Sequence, residues 1–161
     1  MTAAVIALGS NLGERQDWLA FAADRLSAAP EVRIVKRSGI FETDPVGVPE
    51  QFKNRKFLNQ VLMVETGLDA AAFSRLVHRI EDEAGRKRGP VRNSPRTLDV
   101  DIITFGGLIS SDPELTLPHP RAKQRVFVLE PLAQIAPDFR FPDEPDVTVT
   151  QLLEKIKGTS A

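Results

Sequence analysis

The chain contains no cysteine among its 161 residues. This absence excludes a disulfide framework, a thiolate metal site and a catalytic thiol. A strong net charge is missing too, because 21 Lys and Arg residues are balanced by 22 Asp and Glu residues, leaving −1 at pH 7. Proteins that bind nucleic acid through long-range attraction are usually basic, so we expect no nucleic-acid partner.

The sequence also lacks a long hydrophobic run. The apolar stretch at residues 3–8 is too short for a membrane helix, and no basic leader precedes it. With 42% hydrophobic residues in 17.8 kDa, the chain can bury a proper core. We therefore predict a single globular domain over residues 1–161 that is cytoplasmic, monomeric and not bound to a membrane.

Hydrophobic periodicity predicts four strands, three of them at residues 3–8, 32–41 and 57–65 and the fourth around residues 99–103. A helix with Trp18, Ala22 and Leu26 on one face follows the first strand, with Ser10 or Asn11 as its cap. A second helix begins after Asp69. The order strand, helix, strand, strand, helix, strand is typical of a ferredoxin-like α+β fold, an antiparallel sheet with helices on one face.

The second helix carries an apolar stripe of core residues, namely Phe73, Val77, Ile80 and Ala84. Two further helices are predicted near the end of the chain, at residues 126–135 and 149–156. The tract between them is a proline-rich loop.

Two carboxylates stand in the fourth predicted strand. Asp99 and Asp101 are two positions apart, so their side chains share one face of the strand, about 7 Å apart along the backbone. Two neighbouring like charges repel, and a cation between them would relieve that repulsion. Oxygen ligands favour Mg²⁺, which completes its shell with water and substrate phosphates. A pair of Asp residues on a solvated face is the alternative.

A basic segment precedes the Asp pair. From Ala84 to Leu98 there is no acidic residue. The segment is interrupted by glycine and proline and carries five basic side chains: Arg86, Lys87, Arg88, Arg92 and Arg96. Guanidinium groups bind phosphate oxygens through two parallel hydrogen bonds, so this loop next to two carboxylates favours Mg²⁺-phosphate chemistry. A solvated charged loop paired with nearby acidic residues is the alternative.

His119 lies between Pro118 and Pro120. Prolines restrict the backbone on both sides, which favours a positioned imidazole with a functional role. A structural histidine is the other interpretation.

The segment at 93–103, NSPRTLDVDII, closely resembles the signature of hydroxymethyldihydropterin pyrophosphokinases, a family of folate biosynthesis. Further matches follow in family order across nearly the whole chain. They are residues 7–13 (ALGSNLG), 43–47 (TDPVG), 57–59 (FLN), 79–81 (RIE), 85–86 (GR), 118–119 (PH) and 125–127 (RVF). The resemblance implies transfer of pyrophosphate from ATP to the hydroxymethyl oxygen of the dihydropterin, with release of AMP.

By resemblance, Asp99 and Asp101 would hold two Mg²⁺ ions, and Arg86 and Arg92 would act with them in catalysis. The resemblance also implies a set of ATP contacts: Glu81, Arg86, Arg88, Arg96, Ile102, Thr116, His119 and Arg125. Mobile-loop arginines would close over ATP and keep water from the reaction.

The same resemblance implies a pterin site in which Phe57 and Phe127 sandwich the bicyclic ring. Asn59 and the segment around Thr43, Pro45 and Val46 would bind its amide and amino edge. The chain departs from well-known members at Asn93, where an aromatic often stands, and at Phe57, which lacks a tyrosine hydroxyl. Packing in an ordinary core is the alternative for both phenylalanines.

Two other classes of protein remain as alternatives. An RNA-binding module could use the sheet of a ferredoxin-like fold, although the sequence lacks an aromatic strand of the RNP type and is not basic. A metal-dependent nucleotidyltransferase would also use paired Asp residues but would release pyrophosphate in place of AMP.

Overall fold

The computed structural model of the protein describes residues 1–44, 50, 56–85 and 98–159. Within these ranges the strands are β1 (Thr2–Ser10), β2 (Val32–Arg37), β3 (Phe41–Thr43), β4 (Phe57–Thr66) and β5 (Asp99–Phe105). The α-helices are α1 (Arg15–Ala28), α2 (Ala70–Glu83), α3 (Val126–Ile135) and α4 (Val149–Thr159), and a 3₁₀ turn spans Ala122–Gln124. None of the helices in the described ranges is long and apolar enough to cross a membrane.

The strands form one antiparallel sheet in the order β2-β4-β1-β5. β3 continues along the same edge of β4 as β2, pairing Thr43 with Phe57. Helix α1 connects β1 to β2, and helix α2 connects β4 to β5. This confirms the predicted ferredoxin-like α+β arrangement.

One face of the sheet packs against α1 and α2. Alternate residues of β1, including Ile6 and Leu8, point into this core, where they meet Leu26 of α1 and Phe73 of α2. The predicted stripe of α2 is buried as expected, and Asp69 caps the helix by accepting a hydrogen bond from the N–H of Ala72 at 2.8 Å. These contacts hold α2 rigidly under β5.

The other face is covered as well, which corrects the prediction of helices on one face only. Val5, Val61 and Ile103 point away from α1 and α2 and pack with Leu129 and Leu132 of α3 in a second core. Val149 of α4 is buried in the same core. Since both faces of the central strands are apolar, both need a layer of helices to exclude water.

Two predicted boundaries are wrong. The strand at residues 32–41 is divided into β2 and β3 by residues 38–40, where the hydroxyl of Ser38 takes the place of a strand partner and accepts a hydrogen bond from Val61 N at 2.9 Å. Helix α1 begins at Arg15, with Glu14 rather than Ser10 or Asn11 in the cap position. Ser10 is the last residue of β1, so its backbone still belongs to the sheet.

Candidate functional site

A row of paired residues crosses one end of the sheet. In β1, Gly9 is opposite Asn59 of β4 on one side and Asp99 of β5 on the other. Asn59 is in turn opposite Phe41 of β3. Directly paired residues in an antiparallel sheet present their side chains on the same face, and neighbouring strands lie about 4.8 Å apart. The backbones of Asn59 and Asp99 are therefore about 10 Å apart, with a residue that has no side chain between them.

The two carboxylates of β5 lie at one edge of this row. Asp99 and Asp101 are both half-buried and alternate with Val100 and Ile102, whose side chains belong to the core beside α1 and α2. The strand periodicity therefore places both Asp side chains on the opposite face, where α3 packs. This confirms that the pair shares a face, as the spacing predicts.

Thr43, Phe57 and Asn59 form a second group on the same face. The amide nitrogen of Asn59 donates to the hydroxyl of Thr43 at 2.6 Å and, over a longer distance of 3.4 Å, to the carbonyl of Phe41. Asn59 is 5% exposed, so these bonds orient a buried amide. A Cβ on Gly9 would lie 3.6 Å from the ring of Phe57 and 3.7 Å from the amide oxygen of Asn59. Gly9 thus leaves the space beside both side chains open.

His119 lies at the other edge of β5. Its backbone N–H donates to the carbonyl of Ile103 at 2.8 Å, so the segment after the cis Leu117–Pro118 peptide is attached to the strand that carries the Asp pair. The ring Nδ1 accepts from Arg121 N at 3.2 Å, which assigns the proton of the neutral ring to Nε2. The structure therefore gives His119 a donor on Nε2.

The charges around His119 are mixed. Burial lowers the pKa of His119 below its ordinary value of 6.5, Asp101 acts in the opposite direction, and the cations Arg125 and Arg121 lower it further. The imidazole is therefore neutral at pH 7, with a carboxylate and two guanidinium groups nearby.

Arg125 and Phe127 extend the site onto helix α3. The guanidinium carbon of Arg125 lies 5.3 Å from the centroid of the Phe127 ring. Phe127, in the first turn of α3, is half-buried and packs against the second core, on the same face of the sheet as Asn59. The start of α3 therefore places an aromatic ring and a cation on the face of the sheet that carries Asn59 and the Asp pair.

Comparison with known proteins agrees with this geometry. The family model described as 7,8-dihydro-6-hydroxymethylpterin-pyrophosphokinase (HPPK) matches residues 5–137. The chain belongs to this family.

Individual relatives agree with that assignment. A 2-amino-4-hydroxy-6-hydroxymethyldihydropteridine pyrophosphokinase of Bacillus subtilis is 43% identical over 82% of this chain and 77% of its own length. One from Pseudomonas aeruginosa is 41% identical, covering 86% of this chain and 83% of its own. A third, from Methylorubrum extorquens, is 38% identical over 97% of this chain and 94% of its own. This HPPK chain is thus an enzyme of the pyrophosphokinase class.

Solved structures show the same fold. A Plasmodium falciparum HPPK-DHPS crystal structure with pterin and p-hydrobenzoate superposes on 99% of this chain with a TM-score of 0.73 and 16% identity. That structure is of a triple mutant, and another triple mutant of the same protein, solved with pteroate, gives a TM-score of 0.75 and 15% identity over 98% of the chain. The HPPK chain described here spans less than half of those longer chains, 45% and 44% respectively.

Three residues predicted as ATP contacts make other contacts in the structure. The side chain of Ile102 is buried in the core beside α1 and α2, so only its backbone can face a ligand. The hydroxyl of Thr116 donates to the carbonyl of Asp112 at 2.9 Å. The carboxylate of Glu81 accepts a hydrogen bond from Val100 N at 2.8 Å.

Several predicted site residues of the HPPK chain lie outside the described residues. They are Pro45, Val46, Arg86, Arg88, Arg92 and Arg96. Their assigned roles stay predictions.

Sequence reasoning missed two contributors to the site. Gly9, which the sequence offers only within the segment 7–13, lies inside β1 between Asn59 and Asp99. Arg121, to which the sequence analysis assigns no role, orients the His119 ring through its backbone N–H. Strand register reveals the role of Gly9 and local backbone geometry that of Arg121, and neither role follows from the sequence pattern.

Proposed function

We propose that this chain transfers the pyrophosphoryl group of ATP to the hydroxymethyl oxygen of 6-hydroxymethyl-7,8-dihydropterin, releasing AMP, as a step of tetrahydrofolate biosynthesis. Membership of the HPPK family supports the reaction class. The observation that carries the assignment of residues is the register of the sheet, which puts Asn59, Gly9 and Asp99 in one row. A pterin edge at Asn59 and a triphosphate at Asp99 would then lie within one substrate length of each other.

The pterin is proposed to bind at the β4 end of this row. The Asn59 amide, oriented by Thr43, presents its oxygen to an amide or amino group of the pterin edge. Phe57 and Phe127 supply aromatic faces for the flat bicycle. Phe57 keeps this capacity without a phenolic hydroxyl.

The donor set on β5 fits magnesium. Asp99 and Asp101 offer carboxylate oxygens on one face, and within the described ranges no group of three or more His, Cys, Asp or Glu residues forms a complete metal cage. Mg²⁺ is commonly held in this way, by one or two carboxylates with water and substrate phosphates. We assign two Mg²⁺ ions to this pair; when bound, they neutralise phosphate charge and align the reacting groups.

The chain's own side chains would bind and orient the triphosphate. His119 can donate from Nε2 to a phosphate oxygen, and Arg125 adds a positive charge on the same side. The hydroxymethyl oxygen then forms a bond to the β-phosphorus, the bond from that phosphorus to the α–β bridging oxygen breaks, and the hydroxyl proton is released. AMP leaves with the bridging oxygen.

The remaining proposed ATP contacts follow from family resemblance. Arg86, Arg88, Arg92 and Arg96 would surround the phosphates, and Thr116 and the backbone of Ile102 would be further ATP contacts. ATP is the co-substrate in this scheme, and the partners are small molecules. Monomeric state, cytoplasmic location and absence of nucleic-acid binding stay predictions.

Identification of the nucleotide product tests the proposal. The protein is incubated with Mg-ATP and 6-hydroxymethyl-7,8-dihydropterin, and the products are separated by chromatography with phosphorus NMR. We expect AMP and a pterin diphosphate in equal amounts, and no AMP without the pterin. Release of pyrophosphate would instead indicate a nucleotidyltransferase. No turnover with any pterin would contradict both the pyrophosphokinase and the nucleotidyltransferase hypotheses.

Substitution of the carboxylates tests the assigned residues. Asp99→Ala and Asp101→Ala should each fold normally yet lower kcat by on the order of a thousandfold or more, because several kcal/mol of charge stabilisation are lost. Asp24→Asn, on the exposed side of α1, is a matched control for a lost surface carboxylate and should keep full activity. Near-normal turnover in either Asp variant of β5 would contradict the role of the pair.

A further inference from the structure

The strand that carries the Asp pair is an edge strand. β5 is paired with β1 on one side, and no strand of the described residues pairs with its other side. Backbone N–H and C=O groups on such an edge need other partners if they are buried. Two partners are present on β5: the N–H of His119 donates to the carbonyl of Ile103, and Glu81 accepts from the N–H of Val100.

The contact at Val100 lies between the two carboxylates. Glu81 Oε2 accepts the N–H of Val100 at 2.8 Å, and Val100 is the residue that separates Asp99 from Asp101. Both groups are buried, with Glu81 2% and Val100 3% exposed. Loss of the acceptor would leave a buried N–H donor unpaired, which is costly.

The carboxylate of Glu81 is held from a rigid element. Glu81 lies in the last turn of α2, the helix whose residues Phe73, Val77 and Ile80 are buried in the core. Its second oxygen, Oε1, lies 3.2 Å from Nδ1 of His78, whose side chain is 52% exposed. Both carboxylate oxygens of Glu81 have a partner, and its side chain is only 3% exposed. Glu81 is therefore placed to hold the backbone of β5 rather than to contact a nucleotide.

We infer that Glu81 is a positioning residue, which holds the backbone at Val100 so that Asp99 and Asp101 keep the separation and direction needed for divalent cations. The inference rests on the proposed function, because it assigns the cations to that pair. Glu81 was predicted to contact ATP directly. In this inference it acts indirectly, through its hydrogen bond to the N–H of Val100. The ordering of ligands before the metal arrives reduces the cost of binding.

Three substitutions distinguish the effect of the length of the Glu81 side chain from the effect of its charge. Glu81→Gln keeps the length and an acceptor oxygen but removes the charge, whereas Glu81→Asp keeps the charge but is one methylene shorter. Glu81→Ala removes both. Glu83→Ala is the control on the same helix, since Glu83 is exposed and makes only a surface ion pair with Arg25 among the contacts described for it.

The first measurement is hydrogen exchange of the Val100 amide, followed by NMR in the protein without nucleotide or metal. We expect exchange at least tenfold faster in Glu81→Asp and Glu81→Ala, near wild-type exchange in Glu81→Gln and Glu83→Ala, and unchanged exchange at Leu62 in the centre of the sheet. Unchanged Val100 exchange in Glu81→Asp would overturn the inference whatever the activity of the variant. Because this readout needs only Glu81→Asp and Glu81→Gln, it holds if Glu81→Ala does not fold.

The second measurement is Mn²⁺ affinity in the presence of a non-hydrolysable ATP analogue. Glu81→Asp should bind Mn²⁺ at least fivefold more weakly and show lower kcat with little change in KM for the pterin, while Glu81→Gln should be close to wild type. The reverse order, with Gln impaired and Asp normal, would mean that the charge acts directly on the ligands and would overturn the inference. The variant Asp101→Asn separates failure of the proposed function from failure of the inference about Glu81. If Asp101→Asn binds Mn²⁺ like wild type, the proposed function fails, whereas Val100 exchange still decides the role of Glu81.

Discussion

The hydrogen bond between Asn59 and Thr43 is the most specific contact in the proposed pterin site. Thr43→Val removes the hydroxyl that accepts from the Asn59 amide at 2.6 Å, leaving a nearly buried donor without that partner at a cost of about 1–3 kcal/mol. We expect KM for the pterin to rise about tenfold, with a smaller change in kcat. Steady-state kinetics at saturating ATP measure both values, and Thr43→Ser, which keeps the hydroxyl, should be near wild type. Equal kinetics for the Val and Ser variants would contradict the role of this bond.

The lowered pKa of His119 predicts a pH-dependent stability. Burial is the main cause of the lowering, so the unfolded chain takes up a proton at a higher pH than the folded protein. The stabilisation is therefore fully present above the ordinary value of 6.5 and is lost progressively as the pH falls through the lower folded value. Urea unfolding of the metal-free protein between neutral and mildly acidic pH measures this decline. His119→Gln should make it shallower, and an unchanged slope would show that His119 is not its source.

At the scale of single elements, the cap of helix α2 supports the site from a distance. Asp69→Ala removes the bond to the N–H of Ala72, and loss of such a cap costs about 1 kcal/mol of stability. We expect a lower urea midpoint with an unchanged m-value. Asp69→Asn, which can still accept this hydrogen bond, is the control and should lose less. If the Ala and Asn variants unfold at the same midpoint as wild type, the cap contributes nothing measurable.

The strands show where element boundaries depend on distant partners. The predicted continuous strand at residues 32–41 overlooked the dipeptide Ser38–Gly39, which often marks a turn. Residues 38–40 separate β2 from β3, and the side chain and backbone of Ser38 both bond to Val61 of β4. Helices α2 and α3 were predicted well because their apolar spacing is local, and α3 spans Val126–Ile135 as expected.

At the scale of the whole molecule, the two cores are joined through one sheet. Leu26 lies in the core beside α1 and α2, and Leu132 lies in the core beside α3 and α4; each is 0% exposed. Leu26→Ala and Leu132→Ala should each destabilise the protein by about 2–5 kcal/mol. Because β1 and β4 contribute to both cores, we expect one cooperative transition in each variant, the same by far-UV circular dichroism and by Trp18 fluorescence. Two separate transitions would show that the layers unfold independently.

The sequence by itself determined the alternation of strands and helices, the shared face of Asp99 and Asp101, the cap at Asp69 and the family, since each depends on neighbouring residues or on ordered motifs. Only the tertiary structure decided which strands are adjacent. Pairing of β1 with both β4 and β5 brings Asn59, Gly9 and Asp99 into one row, although 40 residues separate Asn59 from Asp99. It also decided that α3 and α4 cover the second face and that Glu81 bonds to Val100. Long-range pairing depends on the burial of both faces together, and no local pattern encodes it.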